Sequence, residues 1–346
     1  MSKVTIRDIA ERLKIGKTTV ALALMDKYGV SEETKSKVFV TACEMGYDFS
    51  KVNKKRSNKN KTIKLVLRDK SLLTTDFWTE IIQGIEKEGR KNNIPIEVFA
   101  FDSTSKMDEL YIDTLRDTSS GVIFVDGNVT NEYSIFSEME IPVVLLDPRA
   151  YEERKMTQVN SSNYMGGMLA CKHLWRKGHR KLCVCGNAQY GKSLYMRCWG
   201  FINKFNQIND GTGQLIELTL ADPDFANYMH NNDSIKEMFE SGNIPTGVFC
   251  CNDLIARRFI AVAEEFGFKC PDDISVVGYD DSYHATCEQP LLTTIEVKKE
   301  EIGKLAVQTL LGEIAEPSRA KQSIEVIGSL VERDSVKDVT DKEILK

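Results

Sequence analysis

Residues 5–24 read TIRDIAERLKIGKTTVALAL, and the spacing of their apolar positions decides the fold of the first domain. Ile6, Ile9, Ala10 and Leu13 fall at i, i+3, i+4 and i+7 and share one helical face. Thr5 is the expected N-cap, with Asp8 three residues on completing a capping-box-like pair. Residues 14–17 break the pattern around Gly16, and a second helix follows from Thr18 to Leu24. Ser31 with Glu33 and Thr34 opens a third, whose apolar face is Val38, Ala42 and Met45 and which Gly46 ends. Two short helices across a tight turn, braced by a third, form a helix-turn-helix, an all-α head of residues 1–49. In that arrangement the second helix lies in the major groove of DNA and the first crosses its backbone.

Working outward, residues 50–62, SKVNKKRSNKNKT, are almost wholly polar and basic and read as a hinge. Residues 1–62 carry a net charge of +7 and the rest of the chain −12, within an overall −5. A basic head on an acidic body directs the head toward a polyanion and the body away from it.

From Ile63 the texture changes. Apolar strand-like runs (IKLVL, IEVFAF, GVIFV, PVVLL, KLCVC, QLIEL, GVFCC, SVVGY, TTIEV) alternate with helical stretches at 76–92, 105–117, 163–177, 194–206, 254–266 and 299–311. Repeated alternation of this kind predicts doubly wound parallel α/β sheets. Some 280 residues exceed one such sheet, so two lobes with a cleft are expected over 63–336. The first lobe is drawn from about 63–157 and 288–322, the second from about 158–287 and 323–336, leaving 337–346 as a tail.

The bulk numbers agree with a protein of the cytoplasm. The 346 residues are 42% hydrophobic, no apolar run approaches the roughly eighteen residues that span a bilayer, and the N-terminus lacks the apolar core of a signal peptide. The nine cysteines are odd in number, and several sit inside apolar runs. They read as free buried thiols. With no C-x-x-C pair and four scattered histidines, neither a metal nor a cofactor is expected.

Head and body together resemble the lactose-repressor/galactose-repressor family over nearly the whole length. The likeness is carried in the head by Thr5 to Ala10, Thr19-Val20, and Val30 to Lys35 through Met45-Gly46-Tyr47. In the body it rests on Gln83 to Glu86, Gly121 to Ile123, Ile141 to Val144, Asn163 to Gly167, His173-Leu174 and Gly178-His179. It continues through Arg197 with Gly200-Phe201, Cys251 to Asp253, Pro271 to Asp281 and Pro290 to Ile295. The resemblance implies a periplasmic-binding-protein-like sensor, a homodimer on near-palindromic operators, and a non-enzymatic repressor controlled by a sugar or sugar derivative. It places Thr5, Lys17, Thr18, Thr19, Ala21, Leu22, Tyr47, Lys54, Lys55 and Arg56 toward DNA. The dimer surface is expected from the first lobe, along helix 76–92 and the strand near 95–101. The tail lacks leucine heptads, so no tetramerisation element is read there.

Two departures from the family pattern stand out. The recognition helix commonly reads T-V-S-R, and here it reads Thr19-Val20-Ala21-Leu22, with Met25 where asparagine is usual. Alanine and leucine make no bidentate contact to a base edge, though they touch a thymine methyl. Base readout then falls on Lys17 and Thr18. In the hinge, Arg56 stands in place of the leucine that wedges into the minor groove. Affinity should therefore lean on phosphate neutralisation and fall steeply with salt.

Gly186 to Ser193, GNAQYGKS, satisfies the G-x-x-x-x-G-K-[ST] pattern of a phosphate-binding loop, between a strand and a helix. The same segment is the family's strand-to-helix loop leading to Arg197. Two readings stay open: nucleotide chemistry, or a Lys192 that meets an anionic effector. For the sensor cleft, the expected lining is Phe77, Trp78, Asp147, Lys192, Arg197, Asn252 and Asp280. Carboxylates and a planar guanidinium suit sugar hydroxyls, and aromatic rings suit sugar C–H faces. Asp280 serves equally as a strand-end cap, Asn252 as an N-cap and the aromatic pair as core. Thr75-Asp76 precede that pair where the family has Asn-Pro. A sugar sensor whose head no longer reads DNA is the main alternative to the regulator.

Overall fold

The computed structural model describes residues 4–25, 27–47, 62–67, 72–73, 75–100, 121–125, 141–148, 156–186, 191–220 and 231–340. The hinge with Lys54, Lys55 and Arg56, the expected helix at 105–117 and the middle of the GNAQYGKS loop lie outside them.

The head contains α1 (Ile6–Leu13), α2 (Lys17–Leu24) and α3 (Glu32–Glu44). Ile9, Ala10, Val20, Ala23, Leu24, Val38, Phe39 and Ala42 form its buried core. At the start of α1 the Asp8 carboxylate accepts from the Thr5 amide (2.7 Å) and from its hydroxyl (2.8 Å). These bonds hold the Asp8 carboxyl below its ordinary pKa. A parallel bridge between Val4 and Tyr47 joins the two ends of the head.

The body is built on two six-stranded sheets of the same winding. In the first, β1 (Ile63–Leu67), β2 (Ile96–Ala100), β3 (Gly121–Val125), β4 (Val143–Leu146), β5 (Thr157–Ser161) and β11 (Ser323–Val326) lie in the order β11-β5-β4-β3-β1-β2, all parallel. In the second, β6 (Lys181–Gly186), β7 (Gln214–Thr219), β8 (Gly247–Cys250), β9 (Ser275–Asp280), β10 (Thr293–Glu296) and β12 (Ser329–Val331) lie in the order β12-β10-β9-β8-β6-β7. Among the described strands of that sheet, only the β10–β12 pair is antiparallel. Strands β1, β3, β4 and β8 are buried along their whole length, and β6 from Leu182 onward, as parallel strands covered on both faces must be. Within them alternate residues feed different cores, Leu182 and Val184 on one face of β6 and Cys183 and Cys185 on the other.

The lobe boundaries differ from the expected ones. Strand 157–161 belongs to the first sheet rather than the second, 293–296 to the second rather than the first, and 323–326 to the first. The chain therefore crosses between lobes after Ser161, after Glu296 and after Val326. Hydrogen-bond pairing decides this: β5 finds β4 and β11, while β10 finds β9 and β12.

Helices α4 (Asp76–Lys91), α5 (Asn163–Arg176), α6 (Lys192–Ile208), α7 (Asp233–Glu240), α8 (Asp253–Glu265) and α9 (Lys299–Ala315) complete the layers. Two helix pairs meet at the distance of bare backbone. A Cβ on Gly167 of α5 would run into the Arg197 carbonyl of α6, and one on Gly200 of α6 into the Tyr164 carbonyl of α5. Gly84 of α4 and Gly303 of α9 stand in the same relation, to Glu300 and Ile81. The α5–α6 crossing is what places Arg197.

Candidate functional site

Each sheet has its topological switch point where the winding reverses, between β1 and β3 and between β6 and β8. Ligands of open α/β sheets bind outside the carboxyl ends of strands at such points. In the shared winding β4 and β9 occupy equivalent positions, and each delivers an aspartate at its carboxyl end. Asp147 follows β4 and Asp280 closes β9, both in the left-handed region with φ of 44° and 103°. Positive φ at non-glycine residues is uncommon and gathers at functional sites.

Arg197 is the centre of the arrangement. It is 5% exposed, and its Nε donates to Asn163 Oδ1 (2.8 Å) while Nη1 donates to the Cys251 carbonyl (2.8 Å). Its guanidinium lies 3.8 Å from the ring centroid of Tyr279, a cation–π stack. Nη1 also stands 3.0 Å from Asp280 Oδ1, an ion-pair distance, but among the described residues no donor is aligned on that oxygen. Burial opposes the charge on Arg197, yet the Asp280 carboxylate and its neighbours outweigh this and raise its pKa. Burial pushes the Asp280 carboxyl up to about 6 against the pull of Arg197 and Lys299, with Asp147 adding to the rise. From the first lobe, the Asp147 carboxylate accepts the hydroxyl of Ser193, and Lys192 Nζ lies 3.5 Å from Gln158 Oε1. The described end of the GNAQYGKS loop therefore reaches across to the other lobe.

The remaining expected residues divide. Trp78 is 8% exposed and belongs to the apolar core, with Phe77 packed edge-on against it at 5.0 Å. Asn252 caps α8, its Oδ1 accepting from the Ile255 amide (2.8 Å). In the head, Lys17 and Thr18 are exposed at the start of α2, whose Gly16 N-cap supplies no side-chain acceptor. Thr19, Ala21, Leu22 and Tyr47 are half-buried, and Thr5 is engaged with Asp8. Beyond α2, Met25 and Tyr28 are exposed, Tyr28 fully.

Sequence reading missed Asn163, Tyr279, Asp253 and Lys299. The first three lie inside stretches that carry the family likeness, which is the signal that would have found them. The Asp253 carboxylate accepts from the Ser282 amide (2.8 Å) and hydroxyl (3.1 Å) and from the Thr294 hydroxyl (2.6 Å). It thereby ties α8 to the turn after β9 and to β10. Burial, then the nearby charge of Asp280, pushes its pKa up to about 7. Buried Lys299 donates to Glu80 Oε1 (3.0 Å) and to the Asp281 carbonyl (3.1 Å), joining the first lobe to the turn below the site.

A carboxyl whose folded pKa exceeds its unfolded value, about 3.9, favours the folded state at low pH. That contribution is complete below about pH 4 and is lost as pH rises to about 7. Asp253→Asn should remove it. Between pH 5 and pH 8, stability relative to the parent is expected to move in the variant's favour by about 2–3 kcal/mol. Urea unfolding of both proteins at the two pH values measures this, and parallel pH profiles would overturn it.

Residues 5–49 match the model of bacterial regulatory proteins of the lacI family. Residues 171–336 match that of the periplasmic binding protein-like domain. The chain is 28% identical over 343 residues to the HTH-type transcriptional repressor PurR of Klebsiella pneumoniae (strain 342), covering 96% of this chain and 97% of that protein. It is 27% identical over 341 residues to the ribose operon repressor of Haemophilus influenzae, covering 96% and 98%. Among solved structures it is similar to a lac repressor dimer bound to operator and an anti-inducer (TM-score 0.67, 22% identity, 97% and 100% covered). A lacI-family regulator from Enterococcus faecium with bound ribose is also similar (TM-score 0.64, 24% identity, 81% and 100% covered). At these identities the structural likeness speaks to the fold, a three-helix head followed by two parallel-sheet lobes.

Proposed function

The chain belongs to the lacI family of bacterial regulatory proteins, and from that premise we propose that it is a DNA-binding transcriptional repressor governed by a sugar or sugar derivative. The observation that carries the proposal is the pairing of Asp147 and Asp280 at equivalent strand ends of the two lobes, with buried Arg197 near both. A polyhydroxylated ligand entering there donates to two carboxylates and accepts from a fixed guanidinium. Because the carboxylates belong to different lobes, the ligand favours one lobe arrangement over another. That differential affinity is all that is needed to shift the spacing of two heads in a homodimer. The ribose operon repressor among the relatives supports the sugar class. Lys192, on the same side of the cleft, extends the class to anionic sugar derivatives.

In the head, Lys17 and Thr18 with the uncapped amides of α2 suit phosphate and base edges. Leu22, Met25 and Tyr28 add apolar surface beside them. Lys54, Lys55 and Arg56 supply phosphate neutralisation in the hinge, and Phe77 and Asn252 flank the effector. The edge strand β2, with Val98 exposed, and helix α4 contribute the dimer face. No helix among the described residues is long and apolar enough to cross a membrane, and the protein acts in the cytoplasm with the DNA it regulates.

Selection of binding sites from random double-stranded DNA by the full-length chain, with and without a panel of sugars and sugar phosphates, tests this reading. The expected product is a palindrome with half-sites about one helical turn apart, whose recovery changes with one class of sugar. Recovery of DNA without sequence preference would establish instead a sensor whose head has lost its reading function.

A further inference from the structure

We propose that Cys198 and Cys251 form an oxidisable dithiol, converted to a disulfide by a hydroperoxide. Cys198 lies in the second turn of α6 and Cys251 immediately follows β8, and their Sγ atoms are 3.1 Å apart. Cys251 is fully buried, whereas Cys198 is partly exposed, so the pair has one member open to a small oxidant. Room for the two sulfurs comes from Gly186 at the end of β6. A Cβ there would collide with Cys251 Sγ and approach Cys198 Sγ to 3.4 Å.

The backbone on both sides is already held. Arg197, the residue before Cys198, donates to the carbonyl of Cys251 itself. Closing the bond needs the sulfurs to approach by about 1 Å, to the usual 2.03–2.05 Å separation.

The two thiols also differ in reactivity. The hydrogen bond from Cys251 and the charge of Arg197 draw the Cys198 thiol below its ordinary value despite burial. Cys251 is held well above, chiefly by that same hydrogen bond and by burial. Thiolate is the nucleophile toward peroxide, so Cys198 attacks. The Cys198 thiolate takes the terminal oxygen of the hydroperoxide, forming a sulfenic acid as the O–O bond breaks and an alcohol or water leaves. The Cys251 sulfur then attacks Cys198 Sγ and expels the hydroxyl as water. Two thiols and one hydroperoxide give one disulfide, one alcohol or water, and one further water. The thiols lose the two electrons that the O–O bond accepts.

Another sulfur pair, Cys185 and Cys250, sits directly across β6 and β8. Both are fully buried, and burial pushes the Cys250 thiol far up, so no comparable reaction is expected there. The dithiol stands whether or not the cleft takes a sugar, because its formation requires only oxidant.

The full-length chain treated with hydrogen peroxide, alkylated and digested without reductant provides the test by mass spectrometry. The expected result is the loss of two hydrogen masses per chain and one linked pair of peptides, carrying Cys198 and Cys251, which a dithiol reductant separates. Cys198→Ser should abolish the linked species and Cys185→Ser should keep it, with circular dichroism confirming that each variant folds. Alkylation of both Cys198 and Cys251 after peroxide would overturn the proposal. So would stepwise oxidation of Cys198 without linkage.

Discussion

Arg197→Ala is expected to destabilise the protein by about 3–5 kcal/mol and to abolish response to the effector that the parent binds. Removing one partner of a buried ion pair costs this much because the other charge remains, uncompensated, in a region of low polarity. Here the groups left behind are Asp280, the Asn163 amide oxygen and the Cys251 carbonyl, each of which faces the guanidinium. The Tyr279 ring also loses its cation. Since burial already lifts Asp280 to about 6, loss of Arg197 should lift it further, and the variant should recover stability as pH falls toward 5. Asp280→Asn in the same background removes the orphaned charge and should return part of the loss. Arg197→Lys keeps a charge but not the planar fork, so it should retain more stability than alanine while still failing to grip a ligand. Denaturant unfolding of the four proteins, with calorimetric titration of the selected sugar, reads both effects. A drop below 1 kcal/mol with effector affinity intact would remove Arg197 from the centre of the site.

Much of the body was legible because burial on both faces leaves its mark on a strand. GVIFV is a continuous apolar run and IKLVL is broken only by Lys64, and every residue in both is buried. TQVNS at 157–161 is buried nearly as completely but carries no such run. Its polar groups are satisfied by distant partners, the Thr157 hydroxyl by Glu313 and the Ser162 hydroxyl just beyond it by Glu325 (2.9 Å). Such a strand declares itself only once the helix and edge strand it meets are in place, and that is why the lobe crossovers differ from those the sequence predicts. The site divides in the same way. Arg197 and Asp280 are charged residues at family positions and stand out in the chain. Asn163 and Tyr279 become parts of the site only when α5, α6 and β9 converge, across 34 residues in the case of Asn163. Trp78 shows the converse, since an aromatic expected in the cleft is taken into the core when its helix packs inward.

Gly167→Val should reach the same site without altering any polar group. The α5–α6 crossing leaves no room for a side chain at position 167, because the Cβ direction is occupied by the carbonyl oxygen of Arg197, with the Phe201 amide at 2.9 Å. Backbone atoms inside a helix cannot step aside as the end of a flexible side chain can. The added carbon must therefore push α6 away from α5. Overpacking of this kind costs about 1–3 kcal/mol and occasionally more, and the upper end is expected where the obstruction is main chain on both sides. The displacement falls on the residue whose guanidinium must stay within hydrogen-bond reach of Asn163 and Cys251, and a shift of about 1 Å is enough to break such bonds. Gly200→Val, which meets the Tyr164 carbonyl from the opposite direction, should behave alike. Gly303→Val obstructs the corresponding crossing of α4 and α9 and should lower stability while leaving effector affinity much nearer that of the parent. The comparison separates a local effect on Arg197 from general destabilisation. Unfolding midpoints and effector affinities measured side by side decide it, and equal loss of affinity in Gly167→Val and Gly303→Val would mean that helix packing does not set the geometry of Arg197.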